Sequence, residues 1–183
     1  MGKIRVHEFI SLDGVYEDPR WTFEYGFDPK MGEDIGELTN VSQGILLGRT
    51  TFEMFAPAWS TRTAEQDPGA PFFNDTQKYV VSSTLGDAES VWGNSEVVGP
   101  YSADAIRSLK DGLERDLYVS GSGTLVRAML ADGLVDELHM FVYPVALGLG
   151  LRLFPDGGAK TKLELVGSGS YPNGVVHLAY EPA

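Results

Sequence analysis

The amino-acid sequence predicts an α/β protein with a mixed, mainly parallel sheet, helices on both faces and an antiparallel hairpin at the C-terminal end. Short apolar runs alternate with segments of helical period along most of the 183 residues, and that alternation implies parallel strands covered on both sides. The last two runs are joined instead by Tyr171-Pro172-Asn173-Gly174, a hairpin signal. A third observation bears on function. Three runs end in small, backbone-exposing or hydroxyl residues: Leu47-Gly48-Arg49-Thr50-Thr51-Phe52-Glu53, Val81-Ser82-Ser83-Thr84-Leu85 and Val119-Ser120-Gly121-Ser122-Gly123-Thr124-Leu125.

The elements follow in order. Residues 3–10 alternate as a first strand, ended by Asp13-Gly14. Residues 16–30 are aromatic and broken by Pro and Gly, so they read as a loop with Trp21, Phe23, Tyr25 and Phe27 at alternate positions. Met31, Ile35 and Leu38 take helical spacing, with Glu33, Asp34 and Glu37 on other faces. Residues 44–47 form a short strand, after which Thr50 or Thr51 is the expected helix cap. Residues 57–75 are too polar and Pro-rich for an element. Strands follow at 78–82 and 95–98, then a helix capped by Ser102. A strand at 116–120 precedes a helix whose apolar stripe is Leu125, Val126, Met129 and Leu130, stopped by Gly133. Residues 137–142 form a strand, 144–154 turn through Gly148 and Gly150, and 163–168 with 175–180 make the hairpin.

Composition narrows the function classes. With 43% hydrophobic and 22% charged residues the chain reads as soluble and globular. Without a repeat, low-complexity tract or linker it reads as one domain over 1–183. No apolar run reaches the roughly 18 residues of a membrane span, and acid comes too early in the N-terminus for a signal peptide. The absence of cysteine excludes disulfides, thiolate metal sites and Cys nucleophiles, and a cytoplasmic location is expected. A net charge of −12 argues against nucleic acid or an anionic membrane as partner. An anionic ligand would therefore depend on local cations, amides and hydroxyls.

Each strand-end motif offers such groups. Gly121-Ser122-Gly123 opens a helix, where free amides and the helix dipole favour an anion, although a tight turn without a ligand explains it equally well. Arg49 is placed to hold a phosphate bidentately beside Thr50 and Thr51, and a plain helix start with a surface Arg is the alternative. Ser82-Ser83-Thr84, alone, reads as a turn. His7, His139 and His177 lie in strands without metal-ligand spacing and read as packing or surface residues, so no metal is expected. Neither a Gly-x-Ser-x-Gly elbow nor a phosphate-loop motif is present.

As an ordered set these motifs, with Ser11-Leu12-Asp13-Gly14 and Gly133-Leu134-Val135-Asp136-Glu137-Leu138, resemble the dihydrofolate-reductase-like superfamily. Within it the chain is similar to the C-terminal reductase domain of the bifunctional riboflavin-biosynthesis deaminase–reductase. The resemblance covers nearly the whole chain and implies a three-layer dihydrofolate-reductase-like fold that binds NADPH. It implies that Gly48, Arg49, Thr50, Thr51, Ser82, Ser83 and Thr84 flank the adenosine ribose and its 2′-phosphate. The turn Gly121, Ser122, Gly123, with Thr124 and Leu125 beyond it, would receive the pyrophosphate, and Leu12, Asp13 and Gly14 would border the nicotinamide. Two departures stand out. Ser122 interrupts the paired glycines of dihydrofolate reductases, and Gly32 falls near their helix acid, with Glu33 and Asp34 beside it.

The expected function is an NADPH-dependent reductase transferring a hydride to a small planar heterocycle, pterin-like or an aminopyrimidine. Asp13 and Trp21 are the candidate nicotinamide- and substrate-side residues, and Asp34 the candidate acid. A non-catalytic NADP(H)-binding module and a purely structural protein are the alternatives. A homodimer is expected from the resemblance and from the apolar, Gly-rich stretch 141–154.

Overall fold

The structure is a computed structural model that describes residues 2–158 and 160–183. Its strands are β1 Ile4–Ser11, β2 Ser42–Gly48, β3 Gln77–Val81, β4 Ser95–Gly99, β5 Asp116–Ser120, β6 Glu137–Tyr143, β7 Leu163–Ser170 and β8 Val176–Pro182. They form one sheet of eight in the order β4-β3-β2-β5-β1-β6-β8-β7. All pairings from β4 across to β6 are parallel, and β8 runs antiparallel to both β6 and β7. The expected α/β architecture is therefore present, hairpin included.

The helices are α1 Pro29–Val41, α2 Arg49–Trp59, α3 Ala70–Asp75, α4 Ala103–Asp111 and α5 Gly123–Ala131. Side chains alternate across a strand, so each strand feeds two layers. Ile4, Val6, Ile10, Leu46 and Val119 pack against Ile106 of α4 and Leu125, Val126 and Met129 of α5. On the opposite face Ile45, Leu47 and Tyr118 meet Leu38 of α1, Phe52 and Ala56 of α2 and Phe73 of α3. A third cluster, Met31, Phe141, Tyr143, Tyr171 and Val175, continues that face toward β8.

Three local expectations change. Residues Pro19–Tyr25 are a 3₁₀ helix rather than an irregular loop. Its turn divides the aromatic residues: Trp21 and Tyr25 sit edge-on to Tyr143 at 5.4 and 5.6 Å, while Phe23 and Phe27 are exposed. The stretch 57–75 holds the end of α2, which runs through Pro57, and the whole of α3. Burial outweighs propensity there, because Trp59 stacks on Phe73 at 4.1 Å. Finally, α2 is entered from Gly48 without a side-chain cap, so Thr50 and Thr51 lie in its first turn instead of capping it.

Candidate active site

The parallel strands β3, β2, β5 and β1 end along one edge of the sheet, the position where open α/β sheets take their ligands. A cleft of about 1640 Å³ opens along that edge. Pockets for one small molecule are typically about 300–1,000 Å³, so the cleft has room for a dinucleotide and a second small molecule. Among its lining residues are Gly48, Arg49, Thr50, Thr51, Ser82, Ser83, Thr84, Gly121, Ser122, Gly123, Thr124 and Leu125. The three strand-end motifs thus converge on one space.

The contacts among them are specific. Arg49 Nη1 donates to Thr84 Oγ1 at 2.6 Å and Nε donates to Glu53 Oε1 at 2.8 Å, joining the first motif to the second. Ser122 Oγ accepts from the Gly48 amide at 2.9 Å, joining the first to the third. Ser82 is occupied within its own turn, where its Oγ accepts from the Thr84 and Leu85 amides. Gly121 and Ser122 both take left-handed φ values, 61° and 63°. Ser122 makes no side-chain capping bond to α5. The first-turn amides of α2 and α5, which have no intrahelical acceptor, are thus uncapped by side chains at the cleft. Gly123 has a separate reason to be glycine, since a Cβ there would come within 2.5 Å of the Tyr16 ring. The room at Gly123 is taken by Tyr16, not left for an anion.

Five of the expected site residues lie off the cleft lining: Leu12, Asp13, Gly14, Trp21 and Asp34. The 12–14 turn is tied down elsewhere. Asp13 accepts from Ser11 Oγ at 2.6 Å and from the Leu147 and Gly148 amides at 3.0 and 2.8 Å, which holds its carboxyl far below the usual range. Leu12 N donates to Val145 O, and Gly14 O accepts from Leu153 N. This turn anchors the 144–153 segment. Trp21 donates to Glu17 O and packs on Tyr143. Burial acts to raise Asp34, but the Tyr171 hydroxyl at 2.5 Å and Lys30 at 2.9 Å outweigh it and keep the carboxylate ionised. An ionised, doubly engaged carboxylate is a poor proton donor.

What lines the cleft instead is the strand β1 itself, through His7, Glu8 and Phe9. His7 Nδ1 is 2.7 Å from the Tyr118 hydroxyl. Burial holds Tyr118 well above the usual phenol range, so its O–H persists; an O–H donated to Nδ1 puts the imidazole proton on Nε2, and a hydroxyl accepting from Nδ1–H leaves Nε2 an acceptor. Burial and the nearby His139 and His177 lower His7 to about 3, so its ring stays neutral. Glu8 is pushed up to about 8 by burial. His7 Nε2 and Glu8 Oε1 are both buried without a hydrogen-bond partner among the described residues. A buried polar atom left so is uncommon and calls for a reason. The signal was legible in outline: Glu8 falls in the apolar phase of β1, between Val6 and Ile10.

The histidines are also not independent packing residues. His139 Nδ1 lies 3.0 Å from His177 Nε2, and His139 Nε2 lies 3.2 Å from Glu137 Oε2. Among the described residues there is no group of His, Cys, Asp or Glu suited to a metal ion, and no helix long and apolar enough to cross a membrane.

The comparisons with known proteins fit this geometry. A family model described as the RibD C-terminal domain matches residues 2–177. The uncharacterized protein YyaP of Bacillus subtilis (strain 168) is 26% identical over 177 residues, 93% of this chain and 90% of that protein. A crystal structure from Shewanella sp. PV-4, assigned to riboflavin biosynthesis, superposes with a TM-score of 0.75 at 21% identity, covering 100% of this chain and 99% of the other. Dihydrofolate reductase from Enterococcus faecalis, complexed with NADP(H), gives a TM-score of 0.66 at 16% identity over 99% of this chain and 96% of its own. Such distant structures share the fold alone, a dihydrofolate-reductase-like sheet. Matched along nearly its whole length, this chain belongs to the RibD C-terminal domain family.

Proposed function

We propose that the protein is an NADPH-dependent reductase acting on a small planar heterocycle, pterin-like or an aminopyrimidine. The observation that carries this reading is the convergence of the three strand-end motifs on one cleft, with an aromatic chamber beside them. Arg49 and Thr84 meet at one end, above the uncapped start of α2. Phe9, Phe23, Ile35, Phe55 and Phe72 line the cleft around His7 and Tyr118.

These residues fit NADPH. Arg49, Thr84 and the first-turn amides of α2 would hold the 2′-phosphate, and the Gly121–Ser122 turn with Thr124 the pyrophosphate. When bound, the cofactor supplies the hydride. The chain's own part is to orient the heterocycle between aromatic walls and exclude water. His7 does so as a neutral donor: with the Tyr118 hydroxyl donating to Nδ1, its Nε2–H would meet a ring nitrogen or carbonyl oxygen of the substrate. Family membership supports the reductase reading, as does the NADP(H) complex of the fold neighbour.

A non-catalytic NADP(H)-binding module is the second reading, favoured by the position of Asp13, Trp21 and Asp34 off the cleft. Titration of NADPH fluorescence tests both, since absence of binding at high micromolar cofactor removes the two together. Turnover across a panel of dihydropterins and aminopyrimidines then separates them, and binding without turnover selects the module. The homodimer belongs to the same proposal. Leu149 and Phe154, in the segment after β6, and Leu165 and Val166, on the edge strand β7, are exposed apolar side chains, and a monomer mass by light scattering at high concentration would reject it.

A further inference from the structure

The cleft has a second polar group that neither the phosphate contacts nor the substrate-side histidine uses. Glu8 is 2% exposed, lines the cleft, and has no hydrogen-bond partner for Oε1 among the described residues. Its place on β1 fixes its side of the sheet. Ile4, Val6 and Ile10 pack with Leu125, Val126 and Met129 of α5, so Glu8, in the same phase, faces the α5 layer. Its register partner on β6 is Met140, a member of that apolar cluster. His7, one residue away, turns to the opposite layer. Tyr16, Gly123 and Leu151 line the cleft as well.

Such surroundings select the neutral acid. Burial alone accounts for its displacement to about 8, and no charged group contributes to it. At neutral pH Glu8 is therefore a carboxylic acid, with one O–H to donate and one carbonyl oxygen to accept. The complement of that pair is a primary amide, which presents an acceptor and a donor side by side.

We propose that Glu8 is the residue that reads the carboxamide of the bound nicotinamide, its O–H donating to the amide oxygen and its carbonyl accepting from the amide N–H. The inference rests on the NADPH reading above. The sheet order supplies the geometry: from the Arg49–Thr84 end, the edge passes β2, then β5 with its Gly121 turn, then β1. A dinucleotide with its 2′-phosphate at Arg49 and its pyrophosphate at the β5 turn brings its far end to β1. That end carries the amide.

Calorimetric titration of the intact protein tests this with three probes. They are NADP⁺, adenosine 2′,5′-bisphosphate, which lacks the nicotinamide, and the acetylpyridine analogue of NADP⁺, in which a methyl replaces the amide nitrogen. E8L is expected to bind NADP⁺ about thirtyfold more weakly, the size of two net hydrogen bonds, and to bind the bisphosphate unchanged. E8Q, which keeps a donor and an acceptor, should retain most of the affinity. In the wild type the acetylpyridine analogue, which keeps the carbonyl oxygen but loses the amide N–H, should bind more weakly than NADP⁺, and E8L should weaken it by less than it weakens NADP⁺. A second readout needs no variant affinity: the infrared C=O stretch of the protonated carboxyl, absent in E8Q, should move to lower frequency on NADP⁺ binding. Unchanged NADP⁺ affinity in E8L, or equal loss for NADP⁺ and the bisphosphate, overturns the role of Glu8 and leaves the cofactor reading standing. So does a loss in E8L confined to a dihydropterin or aminopyrimidine titrated as a fourth probe, which would move Glu8 to the substrate. Failure of the wild type to bind either NADP⁺ or the bisphosphate overturns the cofactor reading itself, and this inference with it.

Discussion

Lys78 on β3 and Glu8 on β1 are both buried ionisable side chains of one sheet, yet their surroundings differ completely. The Lys78 ammonium donates to the carbonyls of Phe73, Asn74 and Thr76 at 3.0, 3.3 and 2.8 Å, with the Trp92 ring 4.6 Å away. An ammonium has three protons, and each has an acceptor at the C-terminal end of α3. Glu8 Oε1 has none. Burial displaces both toward neutrality, Lys78 down to about 8 and Glu8 up to about 8. Desolvation alone therefore does not separate structure from function. The set of partners does: Lys78 joins α3 to the sheet, whereas Glu8 Oε1 has no hydrogen-bond partner among the described residues.

Substitutions sharpen that contrast. Lys78→Met should have the largest effect, a loss of about 3 kcal/mol in urea denaturation, because a buried ammonium is removed and the Phe73 and Thr76 carbonyls lose its hydrogen bonds, while Asn74 O keeps the one from Asn94. NADPH affinity should not change. Arg49→Ala should weaken NADPH by about 1.5–3 kcal/mol, the range for a charge-assisted hydrogen bond, and leave NADH almost unaffected. Equal loss for both cofactors would assign Arg49 to the Thr84 and Glu53 contacts alone. Glu8→Leu should raise stability by roughly 1–2 kcal/mol, opposite in sign to Lys78→Met, since an unpartnered buried polar group is removed. A fall in stability would break the comparison by showing that Glu8 supports the fold.

Titration of stability against pH gives a smaller but signed effect. The folded state keeps a proton on Glu8 that the unfolded chain releases between pH 4.5 and about 8, so this group's contribution to stability falls as pH rises through that window. His7 acts at the other end. Its value falls from 6.5 to about 3 on folding, so the unfolded chain binds the extra proton and stability falls as pH drops below 6.5. Glu8→Gln should flatten the first slope and leave the second. Ser122→Gly should change stability least, by less than about 0.5 kcal/mol in the same urea assay, because relief of a left-handed residue offsets the lost bond to Gly48.

The sequence made the alternating elements and the three strand-end motifs legible, since both depend on residues close together along the chain. It missed α3, which at six residues is too short to display a period. It also took Asp13, Trp21 and Asp34 as the chemical residues, where the fold binds Asp13 to the 147–148 amides and Asp34 to Tyr171. Their partners lie more than a hundred residues away in sequence, beyond any local pattern.

From the sequence alone come the sheet's two-faced layering, its closing hairpin and the absence of thiol chemistry, because side-chain period, turn residues and composition fix them. Only the tertiary structure decides that Arg49 meets Thr84 and that His139 stands beside His7 and contacts His177. It alone leaves Glu8 Oε1 buried at the cleft without a partner among the described residues. Strand order and register set those neighbours, and both result from packing the whole sheet rather than from any one segment.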